Sequence, residues 1–189
     1  MSFSVLIIPE DPTHNGYILK PLVERMMREL GKPQARVKVL ENPKLNGYDD
    51  ALRAIEEDLP LRYKHFDLWL FLPDADKAKN LAGLERELEA QGICLRCCAA
   101  KPEVEAWLLA GHREKLNLDW KHVRKHARLK EMVFATFLEK YGDARAPGGG
   151  RSALMEATLR GYDGLLTACD ELKGLQERLK QLPALSGQP

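Results

Sequence analysis

The strongest constraint on the fold is a run of five apolar residues, Leu68 to Leu72, that ends at Pro73. A short continuous apolar run bounded by a turn residue is typical of a β-strand that is buried on both faces. Asp74 and Asp76 follow this strand directly. They therefore lie just beyond its carboxyl end, where open α/β sheets bind their ligands.

Two aspartates one residue apart admit two interpretations. Neighbouring carboxylates repel each other unless a cation lies between them or one of them is protonated, and Mg²⁺ prefers such oxygen ligands. Alternatively, Asp74 caps the following helix and Asp76, in its first turn, complements the helix dipole. The rest of the chain has to distinguish a metal site from a helix start.

The sequence predicts an α/β fold, with a parallel sheet of about four strands flanked by helices and followed by an all-helical C-terminal part. Strands alternate with segments of helical period through the first hundred residues, and short connections of this kind are typical of parallel sheets with right-handed crossovers. The predicted strands are residues 3–8, 35–40, 68–72 and 93–98. The predicted helices between them are residues 17–30, 49–59 and 77–90.

The chain beyond the last predicted strand has only helical patterns. The predicted helices there are residues 102–109, 118–128, 131–140, 151–168 and 171–182. We therefore divide the chain into an α/β domain over 1–111, a helical extension over 112–182 that packs on it, and a tail over 183–189 that we expect to be disordered.

The composition gives no general indication of a nucleic-acid or membrane partner. The formal net charge of the 189 residues is +1, so any basic surface must be local. No apolar run approaches the ~20 residues that cross a bilayer, and the N-terminus has no basic region before its apolar segment. We therefore expect a cytoplasmic protein without a membrane partner.

Acidic residues follow three of the four predicted strands. Glu10 follows the first, Asp74 and Asp76 the third, and Glu103 and Glu105 the fourth. Because the carboxyl ends of parallel strands meet at one edge of a sheet, we expect these side chains to converge. Such a group can hold a divalent metal that activates water and stabilises a transferring phosphoryl group.

The two glutamates after the fourth strand are two positions apart, about 200° around a helix. We therefore expect only one of them to face the cleft, and we favour Glu103 because it is nearer the sheet edge. Glu105 is as readily explained as a first-turn residue that complements the helix dipole.

This pattern resembles the Toprim domain of topoisomerases, bacterial primases and nucleases of the overcoming-lysogenization-defect type. Glu10 after the first strand and an Asp-x-Asp after the third carry the resemblance over residues 3–110. The segments KPEVEAWLLAG and GGGRSALM also resemble a group of uncharacterised bacterial Toprim-like proteins linked to phage defence and mobile elements. The Toprim glutamate is commonly followed by glycine, whereas Asp11 and Pro12 follow Glu10 here.

The resemblance implies a Toprim or Rossmann-like sheet and a role for each acidic residue. Glu10 would be a metal ligand or acid–base group, and Asp74 and Asp76 would be the ligands of Mg²⁺ or Mn²⁺. Glu103 and Glu105 would match the acidic residues with which nuclease-type relatives bind a second metal. The predicted catalytic residues are Glu10, Asp74, Asp76 and Glu103, and Glu105 is a further predicted metal ligand.

A local basic segment could contact nucleic acid. Residues 112–130 contain seven Lys and Arg against two acidic residues, with Trp120 among them as a stacking face. A solvated helix face is the alternative. The predicted nucleic-acid-binding residues are Lys77, Lys121, Arg124, Lys125, Arg128 and Arg151. Arg151 follows three glycines at a helix start, an arrangement that suits either an anion or a flexible connector.

The sequence is consistent with two functions. The first is a Mg²⁺-dependent nuclease that cleaves DNA phosphodiesters in a phage-defence or DNA-processing system. The alternative is a non-catalytic Toprim-like subunit that binds nucleic acid or a partner and works with an ATPase on another chain. A haloacid-dehalogenase-type phosphatase is disfavoured, because that family needs a hydroxyl residue where Ala78 stands and places its motif after the first strand.

Overall fold

The structure is a computed structural model that describes residues 2–185. Its centre is a sheet of four strands: β1 (Ser4–Ile8), β2 (Arg36–Val39), β3 (Leu68–Phe71) and β4 (Leu95–Cys97). All neighbouring strands are parallel, and their order is β2-β1-β3-β4. The predicted α/β class and parallel sheet are confirmed, and every strand boundary lies within two residues of its predicted position.

The residues of the two central strands alternate between two hydrophobic cores. Val5 and Ile7 of β1 belong to one core, and Leu6 and Ile8 belong to the other. Every residue of β1 and β3 is buried, as expected for strands covered on both faces. Strand β2, by contrast, alternates between exposed and half-buried residues, which agrees with its predicted position at an edge.

Within residues 2–185, ten α-helices surround the sheet. They are α1 (Gly16–Glu29), α2 (Tyr48–Arg53), α3 (Leu59–Tyr63), α4 (Leu81–Ala90), α5 (Glu105–Leu109), α6 (Trp120–Val123), α7 (Ala135–Tyr141), α8 (Arg151–Arg160), α9 (Tyr162–Ala168) and α10 (Asp170–Lys180). Short 3₁₀ segments cover Ala110–Lys115 and Pro147–Gly150, and π-helical segments cover Ala54–Asp58 and Lys130–Phe134.

The helices cover both faces of the sheet. Helices α2, α3 and α4 contribute to the core that contains Leu6, whereas α1 and the helices from α5 to α10 contribute to the core that contains Val5. The helical extension thus packs on the sheet through a shared core. This core also contains Leu185, at 7% exposure, from the tail that we expected to be disordered. The end of that tail, residues 186–189, lies outside the described residues.

The predicted helix end at residue 59 is wrong, because helical structure continues through Pro60 to Tyr63. Proline lacks an N–H and its ring clashes with the carbonyl of the preceding turn. The π-helical segment Ala54–Asp58 widens the helix directly before α3, so that Pro60 falls in the first turn of α3, where its missing N–H is tolerated.

Other predicted helices are shorter than expected. Residues 151–168 divide at Gly161, whose dihedrals (φ −106°, ψ 49°) are not helical. Helix α4 begins only at Leu81, because the residues before it form a turn and Asn80 adopts a left-handed conformation with φ 49°. The segment 118–128 forms helix only over Trp120–Val123. Among residues 2–185, no helix is both long and apolar enough to cross a membrane.

Candidate metal centre

The segment after β3 is held against the segment after β4 by continued backbone pairing. The Ala75 N–H donates to the carbonyls of Ala100 at 2.9 Å and Pro102 at 3.1 Å. This contact brings Asp74 to the start of α5, where its Oδ1 accepts a hydrogen bond from Val104 N–H at 2.9 Å. The backbone thereby fixes the Asp74 carboxylate between the ends of β3 and β4.

Glu10 joins Asp74 from the end of β1. The side chain of Glu10 is 6% exposed, and its Oε1 accepts a hydrogen bond from Asp74 N–H at 3.2 Å. Burial, and then the charge of Asp74, raise the pKa of Glu10 to about 7. Carboxyl groups from the ends of two adjacent strands therefore lie together, and burial and the neighbouring charge favour the protonated form of Glu10.

Asp74 acts as a helix cap, but not for the helix that follows it in sequence. Its carboxylate accepts from the N–H of Val104, thirty residues further on, whereas α4 begins only at Leu81. Burial raises the pKa of Asp74, the hydrogen bond from Val104 opposes this, and the charge of Asp76 raises it further. Asp76 itself is exposed at the mouth of the group.

Glu103 and Glu105 both contact Lys130. Glu103 Oε2 accepts a hydrogen bond from the backbone N–H of Lys130 at 2.7 Å, and Glu105 Oε1 lies 3.8 Å from Lys130 Nζ. The prediction that only one of these two glutamates faces the cleft assumed that both lie in one helix. Helix α5 begins at Glu105, so Glu103 lies outside it and is free to point towards the same neighbour.

Glu105 is the most buried of the acidic residues, at 1% exposure. Its Oε1 has no hydrogen-bond partner among the described residues. Burial raises the pKa of Glu105 to about 7, although the positive charge of Lys130 opposes the shift. Glu103 is half-buried, and burial raises its pKa as well.

Sequence reasoning missed two residues at this edge. Lys130 Nζ lies 3.6 Å from Asp11 Oδ2 as well as 3.8 Å from Glu105 Oε1, so it links the loop after β1 to α5. Asp11 was noted only as a departure from the Toprim pattern, and its position directly after Glu10 was the available signal. Lys130 was one of seven basic residues in its segment, and nothing local marked it out.

The predicted nucleic-acid-binding residues are not in one place. Lys77 is exposed close to Glu10 and Asp74. Its positive charge partly offsets the rise in the pKa values of these two carboxyl groups. Arg124 is instead engaged in an internal ion pair with Glu171, and these side chains are only 14% and 7% exposed. The other residues of the basic segment that were predicted to bind nucleic acid, Lys121, Lys125 and Arg128, are exposed.

Arg151 folds back over its own loop. Its Nη1 donates to the carbonyl of Gly148 at 2.8 Å, and its guanidinium carbon lies 5.3 Å from the centre of the Phe134 ring. The two residues border a cavity of about 650 Å³ that His14 and Lys130 also line. This cavity therefore extends from the glycine loop at Gly149 to Lys130, the residue that contacts Asp11 and Glu105.

The donor chemistry of this edge fits a hard divalent cation. Five carboxyl groups from three strand ends would supply oxygen ligands, and Oε1 of Glu105 is buried without a hydrogen bond among the described residues. Within residues 2–185, no three or more His, Cys, Asp or Glu side chains are already arranged to hold a metal ion. Mg²⁺ ligands lie at about 2.0–2.1 Å, so the carboxylates would have to move closer together to bind it.

Comparison of the chain with known protein families, curated proteins and solved structures finds no match. The Toprim resemblance therefore stays a prediction that rests on the sequence motifs.

Proposed function

We propose that the protein is a Mg²⁺-dependent, Toprim-like nuclease that hydrolyses phosphodiester bonds in DNA. The observation that supports this is the convergence of carboxyl groups from the ends of β1, β3 and β4. The Glu10 carboxylate accepts a hydrogen bond from Asp74 N–H, and the Asp74 carboxylate accepts one from Val104 N–H. Val104 directly precedes α5, whose first residue is Glu105. Carboxylates from separate strand ends are suited to binding the one or two divalent ions that phosphoryl transfer commonly uses.

Each acidic residue has a role in this proposal. Asp74, Asp76, Glu103 and Glu105 would hold Mg²⁺ or Mn²⁺, and Glu10 would act either as a further ligand or as the acid–base group. A bound ion would supply an activated water and neutralise charge that develops on the phosphate. As the acid–base group, Glu10, whose pKa burial raises to about 7, would accept a proton from the attacking water. Exposed Lys77 is placed to attract the phosphate towards these carboxylates.

The DNA would run from this edge along the exposed basic residues of the helical extension. Lys121, Lys125 and Arg128 are exposed and free to contact phosphates. Arg124 is assigned a structural role instead, because Glu171 already neutralises it. Trp120 is half-buried and its indole N–H donates to the carbonyl of Ala168 at 3.2 Å, so it supports the fold more directly than it offers a stacking face.

A second candidate function is a non-catalytic Toprim-like subunit that works with a separate ATPase, for example in phage defence. One observation favours it: several carboxylate oxygens already have partners within the fold. Asp74 Oδ1 accepts a hydrogen bond from Val104 N–H, and Glu103 Oε2 accepts one from Lys130 N–H. The ammonium of Lys130 also lies beside Glu105. A site that serves the fold in this way needs no metal.

DNA cleavage by the purified protein separates these functions. Supercoiled plasmid and single-stranded DNA would be incubated with Mg²⁺ or Mn²⁺ and with EDTA. The variant Asp74→Asn keeps an oxygen that can accept from Val104 N–H, and Asp76→Asn changes an exposed side chain, so both variants should fold. Asp163→Asn, an exposed residue in α9, is the matched control.

The nuclease proposal predicts metal-dependent cleavage by the wild type and by Asp163→Asn, and a loss of at least about a hundredfold in Asp74→Asn. Equal cleavage by all variants would mean that the activity does not belong to this site. If the wild type binds Mg²⁺ but cuts neither DNA, the protein is better explained as a metal-binding subunit.

A further inference from the structure

Lys130 reaches into the acidic edge from the helical extension. It is the first residue of the π-helical segment Lys130–Phe134, and its backbone N–H is held by Glu103 Oε2 at 2.7 Å. Its ammonium lies 3.6 Å from Asp11 Oδ2 and 3.8 Å from Glu105 Oε1. A carboxylate from the loop after β1 and one from the first residue of α5 thus share one positive charge.

The ammonium of Lys130 lies where a cation is attracted by two carboxylates, but it forms no short salt bridge with either of them. Charge-assisted N–H···O bonds are typically about 2.7–2.9 Å long, so both ion pairs are loose. The side chain of Glu105 is only 1% exposed, and its Oε1 has no hydrogen-bond partner among the described residues. A buried carboxylate oxygen left in this state favours a cation that can approach more closely.

We propose that the ammonium of Lys130 occupies a divalent-cation position between Asp11 and Glu105, and that a bound divalent cation displaces it. This inference rests on the proposed metal-dependent function and deepens it, because it adds Asp11 as a ligand and makes Lys130 the competitor of the metal. When no metal is bound, the Lys130 ammonium would then neutralise part of the negative charge of Asp11 and Glu105.

The surroundings allow such an exchange. The side chain of Lys130 is 40% exposed, so the ammonium can rotate into water without unfolding the segment that carries it. A divalent cation brings twice the charge, and its oxygen ligands approach to about 2.0–2.6 Å. The hydrogen bond from the Lys130 backbone to Glu103 is independent of the ammonium and would keep the segment in place during the exchange.

The first test measures Mn²⁺ affinity by isothermal titration calorimetry in wild type, Lys130→Met and Lys173→Met. Methionine keeps the length and packing of the lysine stem but removes the charge. Lys173, an exposed lysine of α10 with no part in the proposed site, is the matched control. Circular dichroism would confirm that each variant is folded.

We expect Lys130→Met to bind Mn²⁺ at least about tenfold more tightly than wild type, and Lys173→Met to change the affinity by no more than about threefold because its charge is exposed to water. Equal affinities of wild type and Lys130→Met would overturn the inference. So would a failure of Lys130→Met to bind Mn²⁺ at all.

The second test needs no variant. An amine-reactive ester labels the wild-type protein with and without Mg²⁺ at fixed pH, and mass spectrometry reports the labelling of each lysine. Displacement predicts that labelling of Lys130 rises severalfold when Mg²⁺ binds, while labelling of Lys121, exposed in α6, does not change. Unchanged labelling of Lys130 at saturating Mg²⁺ would contradict displacement.

These measurements separate the inference from the nuclease proposal. Tighter Mn²⁺ binding by Lys130→Met without any DNA cleavage by the wild type would support the cation position and refute the nuclease function. Metal-dependent cleavage with equal Mn²⁺ affinities would do the reverse.

Discussion

Replacing Glu105 by glutamine should stabilise the metal-free protein at pH 8 and leave its stability nearly unchanged at pH 5. Glu105 is 1% exposed, and its Oε1 faces only the ammonium of Lys130 at 3.8 Å. Burial of the charged form therefore costs more than this loose ion pair returns. Glutamine has nearly the same shape as protonated glutamate but cannot ionise.

The size of the effect follows from the pKa. Burial raises the pKa of Glu105 from 4.5 to about 7 in the folded state. Between these values the folded protein binds more protons than the unfolded chain, so the free energy of unfolding falls as the pH rises. At about 1.4 kcal/mol per pH unit, Glu105 lowers the stability of the wild type by about 3 kcal/mol once the pH exceeds 7.

Urea unfolding in EDTA at pH 5 and pH 8 measures this difference. The free energy of unfolding of Glu105→Gln, relative to wild type, should rise by about 3 kcal/mol between the two pH values. The exposed neighbour Glu131→Gln is the control and should show no such rise. A relative stability of Glu105→Gln that is independent of pH would refute the reasoning, because it would mean that Glu105 ionises in the folded protein as it does in water.

Three further predictions test other parts of the structure. Glu171→Ala should lower the free energy of unfolding by about 3 kcal/mol, because it removes the buried carboxylate partner of Arg124 and leaves it only the exposed Asp170; urea denaturation checks this, and a loss below about 1 kcal/mol would contradict a buried pair. Gly150→Ala should lower the melting temperature by several degrees in calorimetry, because φ is +88° and a Cβ would lie 2.5 Å from a backbone nitrogen; an unchanged melting temperature would contradict this loop geometry. Changing Lys121 and Lys125 together to glutamine should reduce the slope of log affinity against log salt by about 1.5–2 in DNA-binding anisotropy, and an unchanged slope would exclude this surface as the DNA contact.

The sheet could be predicted from the sequence because buried parallel strands need apolar side chains on both faces. The runs at Leu68–Phe71 and Ser4–Ile8 therefore stand out between turn residues. Helix boundaries in the second half were less predictable. Local period alone does not show that Gly161 ends a helix, or that a π-helical segment carries the chain past Pro60.

The acidic edge was predictable in outline, since parallel strands place their carboxyl ends together. The individual partners were not. Arg124 belonged to a basic segment, and only the fold brings it to Glu171, forty-seven residues further on. Lys130 likewise finds Asp11 and Glu105 through the packing of the helical extension on the sheet. A charge pattern along one segment does not show which of its members turn inwards.

The most direct test of the metal centre is the anomalous scattering of Mn²⁺ in crystals soaked with this ion. The account predicts a peak at the carboxyl ends of β1, β3 and β4, at about 2.1 Å from oxygens of Glu105 and at least one further carboxylate of the edge. Crystals that show Mn²⁺ only elsewhere, or none at concentrations that support DNA cleavage, would contradict it. The converging carboxylates would then be helix caps and internal ion pairs.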